Sequence, residues 1–363
     1  MEEEYNLDTQ ETNFVAVGDI MLGDSPKCIG IGVRSAIERN GADYLFANIR
    51  NELRGDIVFG NFECISFEYG YQRNNFKKAQ MNCLSSSLAS LKRAGFNVLN
   101  IANNHIMQFG TAGFNDTCNS LRYNGFDIVG RKKSGGEFFS EPYILTTKGH
   151  KIGILGYSLV KDNYCIPENT SYASANQRII LADVIKLKSV CDKIIVSLHR
   201  GDEFVRSSSL DDKNNAKRLI DEGVDLVIGH HSHVFQEIER YNGRYIIYGL
   251  GNFVTDMLWD ERTRFGLLIK YNITNNNLQI NICHVGDDYS LSILNSYDYD
   301  SYCATISNDL LYENNYSYAS IVSKMRIRNR NIAHLYLLKN CFRYNFGVMA
   351  QILSTSLKSV LGL

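Results

Sequence analysis

Short apolar runs, each closed by a polar or acidic residue, recur along this chain with amphipathic stretches between them. Residues 14–17, 57–62, 97–101, 126–129, 193–198 and 226–228 have the length and the apolar content of buried strands. Helical spacing of apolar positions fills the intervals, at about 34–53, 84–94, 112–123, 177–191 and 210–222. Strands that alternate with helices of this length predict an α/β domain. Residues 143–147 and 151–157 read as a strand pair joined by the turn Lys148-Gly149-His150. Residues 245–250 read as a strand followed by the turn Gly251-Asn252-Phe253. A hairpin, 265–271 with 278–284, is expected to close the domain near residue 290. The stretch 161–176, rich in Asn, Ser and Tyr, reads as a loop able to overhang a site.

The residues just past the strands carry the candidate chemistry. The first strand runs into Gly18-Asp19, the second into Asn61-Phe62-Glu63, the third into Asn103-Asn104-His105. Strand 193–198 ends in His199-Arg200-Gly201-Asp202-Glu203, and strand 226–228 ends in Gly229 followed by His230, His231 and His233. Each alone is weak, since Gly-Asp is ordinary turn chemistry and a His-rich surface turn is conceivable. Three imidazoles within four residues are harder to explain by packing, because neutral rings gain nothing together in a core and charged ones repel. Open α/β sheets place ligands at the carboxyl ends of their strands. There the oxygen and nitrogen donors, with no thiolate, suit two divalent ions.

The order GDIML, GNFE, NIANNH, HRGDEF, GHHSHVFQ and YGLGNFV, from Phe14 to Val254, resembles the capsule-synthesis CapA (poly-γ-glutamate synthesis) family, a branch similar to the calcineurin-type metallophosphoesterases. The resemblance implies a four-layer α/β/β/α sandwich with a C-terminal helical extension, and a dinuclear centre holding two transition-metal ions such as Mn, Fe or Zn. It implies Asp19, Glu63, Asn104, His199, His231 and His233 as ligands, with Glu63 bridging, and His105 as the acid for the leaving oxygen. Asn104, His105 and Arg200 are the expected catalytic groups, and Arg200, Glu203 and Asn252 the expected substrate contacts. Three departures matter: Gln108 stands where the family pattern NNHxxDxG has an acid, Arg200 replaces a Trp in His-Trp-Gly, and Met21 stands where the phosphoesterase start Asp-x-His has its histidine, so one site loses a nitrogen ligand. The first removes a carboxylate that would orient a ligand; the second adds a cation suited to an anionic substrate. A phosphoester or a polyglutamate-like polymer is the expected substrate, and a non-catalytic or weakly catalytic polymer-binding component of a capsule or poly-γ-glutamate synthesis assembly is the alternative.

Composition narrows the setting. The 363 residues are 44% hydrophobic with a net charge of -1, so overall charge points to no nucleic-acid partner. Nine scattered cysteines form no Cys-x-x-Cys pair and suit reduced thiols in the cytoplasm. The acidic N-terminus lacks the pattern of a secretion signal, and residues 1–13 are expected to be disordered. Residues 14–290 are expected to form the catalytic domain and 291–363 an accessory region. After Glu313 no acid remains among fifty residues, whereas Lys324, Arg326, Arg328, Arg330, Lys339, Arg343 and Lys358 give +7. Apolar residues from Ile332 onward suit one or two amphipathic helices. That tail reads either as a cap on the sandwich or as a docking element, with anionic polymer or, as a peripheral contact over 324–363, with anionic lipid at the inner face of the membrane.

Overall fold

The computed structural model of the chain describes residues 11–133, 135–310 and 317–361. Two sheets lie face to face. The first has the order β14-β13-β12-β1-β2-β3-β4, with β11 also pairing β1. Its strands are β1 (Asn13–Ile20), β2 (Ile57–Phe62), β3 (Val98–Asn100), β4 (Asp127–Val129), β11 (Asn252–Val254), β12 (Phe265–Asn272), β13 (Asn277–Val285) and β14 (Leu291–Asp298). The second has the order β5-β6-β7-β8-β10-β9. It comprises β5 (Tyr143–Thr147), β6 (His150–Ser158), β7 (Lys193–His199), β8 (Leu226–His230), β9 (Ile238–Tyr241) and β10 (Arg244–Ile247).

Side-chain alternation along the strands builds the layers. Phe14 and Ala16 of β1 pack with Ile57, Phe59, Ile154, Ile195 and Ile228 in a core shared by the two sheets. Val15 and Val17 point the other way, onto α1 (Val33–Asn40), α3 (Ser85–Ala94) and α4 (Gly110–Tyr123). On the far side of the second sheet, Val196, Leu198 and Val227 meet α5 (Gln177–Lys188) and α6 (Leu210–Asp221). The result is the expected four-layer α/β/β/α sandwich. β1, β2, β3 and β4 are parallel neighbours, as are β6, β7 and β8, so the strands that enter the centre release their chains at one end of each sheet.

Several expectations need correction. The helix expected over 34–53 stops at Asn40, because Gly41 at φ 76° ends it, and a 3-10 turn at Asp43–Phe46 follows. Lys148 and Gly149, both at positive φ, make the hairpin turn alone, and His150 opens β6. Asn252 and Phe253 do not form a turn but pair in parallel with β1, Asp19 beside Asn252. The first sheet does not close at residue 290, since β14 adds a strand that reaches Asp298. Residues 1–10 lie outside the described residues, while Thr12 is buried and Asn13 begins β1.

A short α2 (Phe76–Ala79) precedes α3, α7 (Tyr299–Leu310) follows β14, and the chain ends in α8 (Tyr318–Lys339) and α9 (Phe346–Leu361). Helix α8 thus starts well before Ile332. It packs Ile321 and Val322 on Val205, and Asn329 accepts a hydrogen bond from Trp259 Nε1 at 2.9 Å. Among the described residues no helix is long and apolar enough to cross a membrane.

Candidate metal centre

The carboxyl ends of β1, β2, β3, β7 and β8 converge, and each delivers polar side chains to one buried cluster. β1 brings Asp19, the residue past β2 is Glu63, and the segment after β3 carries Asn104 and His105. From the opposite sheet come His199 at the end of β7 and His230, His231 and His233 from β8 and its turn. Asp19, Glu63, His199 and His230 are wholly buried, and Asn104, His231 and His233 nearly so. His199 and His230 are direct register partners on β7 and β8.

Two sets of side chains each place one donor atom apiece within 4.8 Å of one another: Glu63 with His199 and His231, and Asp19 with Glu63 and His233. Glu63 belongs to both. Its two carboxylate oxygens are buried and accept no hydrogen bond, as does Nδ1 of His231. Orphaned acceptors in a core are costly unless a cation meets them. Asn104 Oδ1 lies 2.9 Å from His199 Nε2, adding an amide oxygen to the first set. Both sets therefore fit a divalent ion with mixed oxygen and nitrogen donors.

Amides hold the ligands in place. Asn100 donates to Asn61 Oδ1 at 2.9 Å, and Asn61 Nδ2 donates to Asp19 Oδ1 at 2.8 Å and lies 3.2 Å from His199 Nδ1. Asn252 Oδ1 sits 3.0 Å from Nδ1 of His233, while Asn252 Nδ2 donates to the Thr263 carbonyl. A donor Nδ1 leaves Nε2 of His233 as the lone-pair nitrogen. Asn103 Oδ1 accepts from the backbone of His105 and Ile106 and shapes the turn that presents Asn104. His231 and His233 sit at φ 88° and 57°, a left-handed backbone that non-glycine residues adopt at a cost and that is concentrated at functional sites.

The electrostatics describe a site short of positive charge. For Asp19, burial is outweighed by the adjacent imidazoles of His230 and His233, which hold it well below the usual carboxylate range. His233 Nδ1 is 3.4 Å from Asp19 Oδ2. The carboxylates of Glu63 and Asp19 overcome burial and raise His233 to about 10. Burial, then the charge of Asp19, pushes Glu63 well above its ordinary value. A cluster that draws a proton onto a buried imidazole has the charge balance a metal cation would satisfy. Burial depresses His199 and His231 and keeps their rings neutral, as ligands must be. Burial, then His233, lowers His105 to about 4. Its Nε2 is 3.8 Å from Glu63 Oε1, and the ring centre of Tyr164, from the stretch 161–176, is 6.4 Å from its own.

All six expected ligands come together, with His105 beside them. Glu203 also joins: burial would raise its carboxyl, but His231, His233 and His105 outweigh that and lower it. Arg200 does not join the cluster. It follows His199 on the strand and so points to the other face, where its guanidinium meets Asp212 of α6 at 3.0 Å and lies 5.4 Å from the Tyr248 ring centre. Asn252 orients His233 instead of facing open space. Gln108 orients no histidine: its amide donates to the carbonyls of Lys77 and Gln80. His230, 3.6 Å from Asp19, is a member that sequence reasoning passed over, although it stands first in the same histidine triplet.

A family model, the bacterial capsule synthesis protein PGA_cap, matches residues 13–257. Capsule biosynthesis protein CapA of Bacillus anthracis is 30% identical over 286 residues, which cover 75% of this chain and 66% of that protein. PGA biosynthesis protein CapA of Bacillus subtilis (strain 168) is 32% identical over 276 residues, covering 75% of this chain and 70% of that protein. The chain thus spans about two thirds of these relatives' length. Among solved structures, Haemophilus influenzae NAD nucleotidase (NadN) aligns over 89% of this chain and 67% of its own at 13% identity, with a TM-score of 0.43, a likeness too loose to bear on function. From the span of the family match and the level of these identities, the chain belongs to the bacterial capsule synthesis protein family PGA_cap.

Proposed function

We propose that the chain is a dinuclear metal-dependent hydrolase acting on an anionic substrate, a phosphate ester first, in capsule or poly-γ-glutamate metabolism. The observation that carries this reading is Glu63, buried, shared by both donor sets and with no hydrogen bond from any described residue to either oxygen. Glu63, His199, His231 and Asn104 would hold one ion, and Asp19, Glu63 and His233 the other. Divalent ions there would polarise a phosphoryl oxygen and lower the pKa of water. The chain's own residues do the rest. Asn61 and Asn252 orient the imidazoles. His105, neutral with a pKa of about 4, donates a hydrogen bond to the leaving oxygen, and Tyr164 shields it from solvent. A second reading, a polymer-binding component of an assembly with weak or no turnover, is favoured by the synthesis names of the Bacillus relatives.

Elemental analysis of the purified protein, followed by a screen of phosphoesters and γ-glutamyl peptides with added Mn or Zn, separates these readings. Two ions per chain with turnover of a phosphoester supports the hydrolase. Two ions with polymer binding and no turnover supports the second reading. Protein that stays metal-free after incubation with Mn, Fe and Zn overturns the ligand assignment.

A further inference from the structure

The bend from α8 through the 3-10 turn Cys341–Arg343 into α9 seats one side on the sandwich and leaves the other bare. Toward the protein, Leu337, Tyr344 and Val348 are buried against Cys28 and Ile29. Away from it, Leu335 is 56% exposed, Leu338 62%, Phe342 82% and Phe346 89%. Leu335 and Leu338, three apart on α8, share one helix face, and Phe342 and Phe346 carry the apolar surface around the bend. A run of large apolar side chains left in water is the mark of an interaction surface. Lys339 and Arg343 are exposed within the same run, and no acid occurs from residue 314 to the end of the chain. The surface is thus aromatic and aliphatic at its centre, cationic around it and free of carboxylates on its own elements.

That combination matches anionic lipid in both parts. Aromatic rings settle at the level of the headgroups, and bases beside them meet phosphate oxygens. A protein partner would have to present an apolar patch framed by acids, whereas an anionic bilayer offers both by its nature. The seat beneath the surface is firm. Tyr344 donates from its hydroxyl to the Lys27 carbonyl at 2.5 Å, and Gln351 accepts from the Phe76 backbone at 3.0 Å. We propose that the corner between α8 and α9 docks the protein on an anionic lipid surface, with Phe342 and Phe346 inserted and Lys339 and Arg343 among the headgroups. Helix α8 also holds the rim of the candidate metal centre, through Arg326 on Asp202 at 2.8 Å, so docking fixes how that centre faces the surface.

Sedimentation of the full chain with vesicles tests this, using phosphatidylcholine alone and phosphatidylcholine mixed with phosphatidylglycerol. The expected result is binding to the mixed vesicles only, weakening as salt rises. Lys339→Ala with Arg343→Ala should weaken binding about 25-fold, at about five-fold for each base lost. Phe342→Ser with Phe346→Ser should abolish it while the unfolding temperature and metal content stay those of the parent, because both rings are already exposed. Failure of the parent chain to bind mixed vesicles overturns the proposal, as does binding that either pair of substitutions leaves unchanged. Lipid-free dimerisation that the Phe342 and Phe346 changes abolish would assign the corner to a second copy of the chain and equally overturn it.

Discussion

Asn61 Nδ2 on β2 lies 3.2 Å from His199 Nδ1 on β7, a polar contact that joins the two sheets at the floor of the candidate metal centre. The same amide nitrogen reaches Asp19 at 2.8 Å, so one uncharged side chain orients a ligand from each set. Asn61→Ala should therefore keep the fold at a cost of about 1–3 kcal/mol for the buried groups it leaves unmet. Metal affinity should drop about 10–100-fold, read by competition with a chelator. Unchanged affinity would mean that the imidazole is held by packing alone.

Glu63 serves both donor sets, whereas Asp19 and His199 serve one each. Glu63→Gln keeps the volume and removes the charge, so metal content should fall by more than in Asp19→Asn or His199→Gln. Elemental analysis of the three variants decides it. Equal losses would show that Glu63 bridges nothing.

His105 touches the centre from the solvent side and is absent from both donor sets. His105→Ala should reduce turnover by about 10²–10⁴-fold with metal content unchanged. Parallel loss of metal would make it a ligand.

Gly18, next to Asp19, lies where a Cβ would stand 1.8 Å from the Gly251 carbonyl oxygen, a backbone atom that cannot swing aside. Gly18→Ala should push β1 and β11 apart, cost at least about 1–3 kcal/mol and lower the unfolding temperature by several degrees. A variant that melts with the parent would show that the two strands have room to part.

Asp256 is buried outside the centre, with Oδ2 accepting from the Ser25 backbone at 2.9 Å. Burial, then the charge of Asp24, raises its carboxyl to about 7, whereas in the unfolded chain it ionises near pH 4, to within about one unit. Between those values the folded protein keeps a proton that the unfolded chain has lost, so stability falls as pH rises through that window. Asp256→Asn has no proton to lose. Its advantage over the parent should grow by up to about 1.4 kcal/mol per pH unit from about pH 4 to 7, then level off, as denaturant unfolding at several pH values would reveal. A constant difference across that range would contradict the raised pKa.

Strand positions and the polar residues at their ends are legible in the chain because both are local. A buried strand must be a short apolar run, and a ligand at its mouth must follow within a few residues. Asp19, Glu63, Asn104, His199, His231 and His233 could be picked out one strand end at a time, and the order of motifs already points to the family. What no local pattern carries is which face a residue takes and what meets it from another strand. Arg200 looked like a substrate contact until the alternation of β7 turned it toward Asp212 of α6, and Asn252 looked like one until β11 paired with β1 and set it against His233. The same holds for β14, half-exposed and without a strong period, which joins the sheet because β13 offers it an edge. Helix α8 owes its extent to seats on Val205 and Trp259, since its helical periodicity is weak. Contacts between residues far apart in the chain come from the packing of sheet on sheet and helix on sheet, and only the folded chain contains them.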